Sequence, residues 1–319
     1  MPERTTLESA GDRLRWTAGA LTLDLVVDPS RPVQLVALLP SGQGPGGAGG
    51  DTGDTVPLVE LDLLGSGRVG DSASAQHRPY AAAARLRYSG HEEQSETGRR
   101  TLLVHQRDDE RGLTVTSRLQ AWGDTAVLRA DTAVVNTGSA PVTLTYVSSL
   151  SLGGFGGGLG ADTRIHEARN AWIAELRWQE LTPEQAGLVG VRPLREGHGT
   201  TRGRHAVTAT GSWSSADFLP MGAVENRRDG LTWAWQVEHQ ASWHWEVGDL
   251  REDLYLLVSG PTDHEHHWQQ RLAPGDTFRS VPVAVTVSEG TLHDALRALT
   301  TYRRPADDSV ANAHNMGSP

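Results

Sequence analysis

Hydrophobic and polar residues alternate with a period of two along most of the chain. In LTLDLVV, Leu21, Leu23, Leu25 and Val27 share one side; in LTVTSRL, Leu113, Val115 and Leu119 face away from Thr114, Thr116 and Arg118. VPVAVTV aligns Val281, Val283, Val285 and Val287. A strand sends successive side chains to opposite faces, so each run predicts a half-buried strand. Turn signals separate the runs. Asn136-Thr137-Gly138 follows one, Asp229-Gly230 precedes another, and Pro274-Gly275 suits the centre of a type II turn. Many strands at short spacing point to an all-β sandwich or distorted barrel. A single clear helical stripe occurs late, where Leu292, Ala295, Leu296, Leu299 and Tyr302 align and Arg303-Arg304 suit the C-terminal end.

The stretch LTWAWQVEHQASWHWEVGD carries Trp233, Trp235, Trp243 and Trp245. Within one strand Trp233, Trp235 and Val237 share a face, and so do Trp243, Trp245 and Val247. The opposite faces carry Gln236 and Glu238, then Ser242, His244 and Glu246. One apolar and one polar face is the pattern of a sheet lying on a core. The intervening EHQAS is short enough for a hairpin, which predicts cross-strand packing of the four indoles. A sugar platform, the competing reading, needs one or two exposed aromatics beside polar groups.

Composition narrows the chemistry. The 319 residues can bury a large core. A net charge of −10 argues against a nucleic-acid or anionic-membrane partner. With no cysteine and no lysine, disulfides, thiolate chemistry, a P-loop and a pyridoxal Schiff base are excluded. No secretory h-region or membrane-length apolar run is visible, which predicts a soluble, cytoplasmic protein. The glycine-rich stretches at 44–54 and 152–160 read as loops, and neither has GxGxxG spacing.

Candidate chemistry is sparse. DHEHHW gathers His264, Glu265, His266 and His267, but neighbours on an extended chain diverge and HExxH is absent. A solvated loop is favoured, with no metal and no cofactor expected. Carboxylate runs occur at Glu92-Glu93, Asp108-Asp109-Glu110 and Asp307-Asp308. Retaining glycosidases need two carboxyls about 5 Å apart on a rigid frame, and nothing singles out such a pair; the runs read as hydrated turns.

The segment GSWSSADFLPMGAVENRRDGLTWAWQVEHQASWHWEVGD…LYLLVSGPTDHEHHWQQRLAPGDTFRSVPVAVTVSEG resembles the N-terminal domain of bacterial α-galactosidases of glycoside hydrolase family 36. PLVEL, ARLRYSGHE and NTGSAPVTL resemble it too, in the same order, over roughly residues 10–304. The resemblance implies a β-supersandwich related to galactose-mutarotase-like sandwiches. In that family the sandwich precedes a (β/α)8 barrel whose two aspartates lie in motifs resembling KWD and SGGGR…D. Neither motif occurs in this sequence. The resemblance therefore implies a sandwich over residues 1–290 and, over 291–319, a terminal helix and truncated linker toward a barrel that is not present.

The expected role is that of an accessory domain of an α-galactosidase, not catalytic by itself, whose partner is a catalytic barrel or further copies of the chain. No catalytic residue is assigned. Family members send loops from the sandwich toward an active site, and Gly65–Tyr80 (GSGRVGDSASAQHRPY) is the corresponding candidate. In it Asp71, His77 and Arg78 are the candidates for contacting the hydroxyls of a galactoside; a solvated connector is the bland alternative. Two other functions remain open. A free-standing carbohydrate-binding module would need exposed aromatics, for which Trp16, Trp122, Trp172, Trp178 and Trp213 are available. For Trp172 and Trp178 strand packing is favoured. An aldose-epimerase-like enzyme using the sandwich itself would need a His/Glu acid–base pair in a cleft.

Overall fold

The computed structural model describes residues 6–43, 56–69, 79–123, 125–155, 160–188, 203–250 and 253–315. Among them the chain forms three antiparallel sheets. The first is a meander of β1 (Thr6–Ala10), β2 (Arg13–Ala18), β3 (Leu21–Val26) and β4 (Gln34–Pro40). The second runs β13 (Arg204–Ala209), β16 (Trp243–Leu250), β17 (Asp253–Ser259), β10 (Val142–Phe155) and β18 (Gln270–Leu272), with β5 (Leu61–Leu63) also paired to β10. The third and widest begins β12 (Arg177–Leu181), β11 (Thr163–Arg169), β14 (Phe218–Asn226), β15 (Leu231–Val237) and β20 (Val283–Glu289). It continues through β9 (Val127–Asn136), β8 (Leu113–Trp122), β7 (Arg99–Asp108) and β6 (Arg87–Glu96), and β19 (Thr277–Arg279) pairs with β9. The all-β sandwich expected from the alternation is the architecture found.

The predicted stripes face the core. Leu21, Leu23 and Leu25 are buried, as are Leu113, Val115 and Leu119, and Val283, Val285 and Val287. They join one apolar cluster fed by all three sheets. The turns also hold. Gly230 and Gly275 take left-handed φ of 65° and 88°, and Asp276 N–H closes a turn on the Ala273 carbonyl at 3.0 Å.

All four indoles of the tryptophan stretch are buried, as expected, at 0–4% exposure. The hairpin is not found. β15 lies between β14 and β20 in the wide sheet, and β16 lies between β13 and β17 in the second sheet. Glu238–Ser242 therefore crosses from one sheet to the other, and Trp235 meets Trp245 across the sandwich. The Trp235 and Trp245 rings are 5.1 Å apart at 75°, the edge-to-face geometry aromatic quadrupoles favour. Gly222 makes room for them: a Cβ there would lie 2.5 Å from Trp235 and 3.0 Å from Trp245.

The glycine-rich 152–160 stretch is not wholly a loop. Leu152–Phe155 complete β10, and Phe155 packs edge-on against Trp233 with centroids 5.8 Å apart. The helix expected near the C-terminus is α3, with α1 (Ala81–Arg85) and α2 (Asp263–His266) the short helices before it. It runs from Leu292 to Asn315, continuing past Arg304. Asp294 Oδ2 accepts from the Thr291 amide at 3.0 Å and its hydroxyl at 3.1 Å, closing the start of the helix. Ala295, Leu299 and Tyr302 press onto Val127, Ala223, Ala234 and Ala284 on the outer face of the wide sheet.

Candidate functional site

The second sheet has an apolar inner face and a polar outer one, because Trp243, Trp245 and Val247 alternate with His244, Glu246 and Gly248 on β16. Register sets Gly248 opposite Tyr255, Glu246 opposite Leu257 and His244 opposite Ser259. The absence of a side chain at Gly248 lets the Tyr255 ring lie across it, since a Cβ would come within 2.3 Å of the ring. From there the Tyr255 hydroxyl donates to Glu246 Oε1 at 2.9 Å. Arg204, opposite Gly248 on β13, places Nε 2.8 Å from Glu246 Oε2 and a terminal nitrogen 2.9 Å from Glu265 Oε1. His244 Nε2 lies 3.3 Å from Glu246 Oε2, while its buried Nδ1 meets no partner among the described residues. Burial opposes the Arg204 charge, but Glu246 and Glu265 more than offset it and hold its pKa above the usual arginine range. Burial, reinforced by the Glu246 charge, pushes the Tyr146 phenol well above its ordinary value.

The loop singled out in the sequence starts and ends beside this polar face. Arg68 and Tyr80 form a bridge at its neck, with the guanidinium 4.0 Å from the ring centroid and 2.8 Å from the hydroxyl. Val69 N–H donates to the Pro79 carbonyl at 3.2 Å. The Tyr80 amide donates to buried Glu60 at 3.2 Å, and its ring stands 5.6 Å from that of Tyr146. Burial raises the Tyr80 pKa against the pull of Arg68. The candidates Asp71, His77 and Arg78 lie outside the described residues.

Two further His/Glu pairs occur, one joining the second sheet to the wide sheet and one within the wide sheet. His205 Nε2 lies 2.9 Å from Glu167 Oε2. On the outer face His166 Nε2 lies 2.9 Å from Glu225 Oε2, and Glu180 sits directly across from His166 on β12. One ligand atom from each of His166, Glu180 and Glu225 falls within 4.8 Å of the others. Arginine already supplies the positive charge a cation would bring: Arg164 binds Glu180 at 3.1 Å, and Arg227 binds Glu180 at 2.6 Å and Glu225 at 3.3 Å. Burial outweighs the Glu225 contact and lowers the His166 pKa.

DHEHHW is partly a solvated loop and partly structure. His264 is exposed, as expected. His266 is not free: Nδ1 accepts from Thr262 N–H at 3.0 Å and Nε2 faces the Ala209 carbonyl at 3.0 Å, which assigns the proton to Nε2. Burial lowers its pKa as well. Asp109 and Glu110 lie on an exposed turn, as expected, but two other acids of these runs do not. Asp108 is buried and accepts from Arg85 at 2.9 Å, and Glu93 binds the Trp16 indole at 2.8 Å and Arg100 at 2.6 Å.

Lowered histidine pKa values fix a direction of pH dependence. Unfolded histidine titrates near about 6.5. Below that pH the unfolded chain takes up protons that folded His166 and His266 refuse, so stability complete above about pH 6.5 falls as pH drops toward their folded values. The urea midpoint is therefore expected to decrease between pH 7.5 and 5.5. A midpoint that holds or rises would show that both imidazoles accept protons in the folded state.

The aromatic candidates separate cleanly. Trp16 is buried, Trp122 is half-buried against Tyr302, and Trp178 is half-buried on β12. Trp172 and Trp213 are 78% and 59% exposed. Trp172 thus projects from the β11–β12 turn instead of packing in a strand. The polar cluster around Glu246 was assigned no role from sequence, although the alternation in WHWEV already set His244 and Glu246 opposite the tryptophans.

No family model matches the sequence, and none of the curated proteins does. The fold has close parallels among solved structures. A GH36 α-galactosidase from Geobacillus stearothermophilus superposes with a TM-score of 0.67 at 16% identity, over 92% of this chain and 42% of its own. The galactosidase domain of an α-galactosidase–sucrose kinase gives 0.67 at 14% identity, over 89% and 42%. An α-galactosidase from Lactobacillus brevis gives 0.62 at 13% identity, over 93% and 40%. Two variants of a second Geobacillus stearothermophilus enzyme, solved in complex with raffinose and with stachyose, match equally well. The chain spans less than half the length of the structures it matches. Its architecture is the fold that GH36 α-galactosidases carry over about two-fifths of their length, 42% in the first of these.

Proposed function

We propose that this chain is the accessory sandwich of an α-galactosidase-type glycoside hydrolase, acting with a catalytic barrel on terminal α-galactosides and not hydrolysing them itself. The observation that carries this reading is the asymmetry of the match: 92% of this chain against 42% of a GH36 enzyme. The sequence resemblance supports it, as does the absence from these 319 residues of both motifs that resemble the family's catalytic aspartates. The buried acids of the polar face are committed to neighbours. Both oxygens of Glu246 are engaged, one by Tyr255 and the other by Arg204 and His244. An epimerase-like reaction through His244 and Glu246 would need that carboxylate free to exchange a proton.

The purified chain is expected to release no nitrophenol from an aryl α-galactoside above the uncatalysed rate. Turnover that survives rigorous purification and disappears in Glu246→Gln would overturn the accessory reading in favour of chemistry on the sandwich.

A further inference from the structure

The β11–β12 turn and the loop before β14 hold the two most exposed tryptophans among the described residues, and both segments are held by hydrogen bonds. Ile173 and Leu176 take φ of 65° and 55°. The left-handed region is an outlier for a β-branched residue and persists only where its surroundings enforce it. Here they do. Ala171 and Ala174 exchange backbone hydrogen bonds at 2.9 and 3.2 Å, and the Glu175 carboxylate accepts from Ile173 N–H at 3.1 Å. Asn170 ties the turn to the neighbouring loop. Its Oδ1 accepts from Leu176 N–H at 3.2 Å, its Nδ2 donates to the Ser215 carbonyl at 2.5 Å, and its amide donates to the Asp217 carbonyl at 2.9 Å. The Trp243 indole donates to the Ser214 carbonyl at 2.7 Å, anchoring that loop to the core. Trp172 lies two residues from Asn170 and Trp213 two residues from Ser215, so at most about 7 Å of chain separates each tryptophan from the shared bond.

We propose that Trp172 and Trp213 are the stacking positions of an oligosaccharide-binding surface that takes α-galactosidic oligosaccharides. The choice of galactosides rests on the function proposed above; the sugar-binding surface itself does not. An indole face offers apolar area and a negative quadrupole to the C–H face of a pyranose, and the hydroxyl rim needs polar groups alongside. In Trp172-Ile173-Ala174-Glu175-Leu176-Arg177 the exposed charges of Glu175 and Arg177 interleave with the apolar side chains. The centre of a protein–protein interface is depleted of charge, whereas a small-ligand site combines apolar walls with a few polar groups. The enforced backbone keeps both indoles presented before binding, so little ordering entropy is lost when a flexible sugar arrives.

The test is titration of the full chain with stachyose and raffinose, followed by tryptophan fluorescence and calorimetry, with maltotetraose as a control lacking galactose. Saturable binding of the galactosides is expected, with Trp172→Ala and Trp213→Ala each weakening it about tenfold. Trp172→Phe should retain part of the affinity. Melting temperatures should not change, because both side chains are exposed. No saturable signal from any sugar, or affinities untouched in both alanine variants, would overturn the surface. Equal binding of maltotetraose, lost in both variants, would overturn the galactoside assignment while leaving the accessory-domain reading to its own assay. Sedimentation provides the remaining outcome: self-association abolished by either variant, without sugar binding, would make this a protein contact and sink the proposal.

Discussion

Replacing Trp235 with alanine is expected to destabilise the fold by about 3–5 kcal/mol, the usual range for deleting a large buried aromatic. Trp235 is fully buried, meets Trp245 edge to face across the two sheets, and fills the space left by Gly222. Its indole Nε1 and that of Trp245 are buried without a hydrogen-bond partner among the described residues. Its contribution is therefore packing alone, and the truncated site would be a cavity between sheets that cannot close without moving both. Chemical denaturation checks this, with Trp172→Ala as the exposed comparison. A Trp235→Ala midpoint equal to wild type would show that the indoles do not carry the inter-sheet core.

A loss of about 2 kcal/mol is expected for Glu246→Ala, because Arg204, Tyr255 and His244 each lose a contact with a buried charged acceptor. Arg204 would lose its contact at 2.8 Å while keeping Glu265, and the Tyr255 hydroxyl would lose its 2.9 Å contact with Glu246. Glu246→Gln keeps an acceptor for Tyr255 and should cost less, which separates the hydrogen bond from the charge. Urea denaturation of both variants reads the difference. Unchanged stability in Glu246→Ala would mean that the network contributes nothing to folding, and would make the polar face a better candidate for binding chemistry than the proposed function allows.

Sequence by itself determined the faces. Alternation is a local property of the extended backbone, so the burial of Leu21, Leu23 and Leu25, of Val283, Val285 and Val287, and of all four tryptophans could be read without knowing any partner. Turns at Gly230 and Gly275 were legible for the same reason, as was the stripe that seats Ala295, Leu299 and Tyr302. Pairing was not. Five residues between β15 and β16 can close a hairpin or carry the chain across a sandwich, and only the competition among all strands for neighbours sent those two to different sheets. The same limit hid the site. His166 meets Glu225 through the register of β11 on β14, and His205 meets Glu167 only because β13 and β11 come together from different sheets. Glu246 gathers Arg204 and Tyr255 from the strands on either side. Nor could composition show which tryptophans stay in water: Trp172 and Trp178 stand in one short segment, and a turn locked by Asn170 exposes the first while β12 half-buries the second. A residue's face follows from its own backbone, but its partners follow from where the rest of the chain is folded.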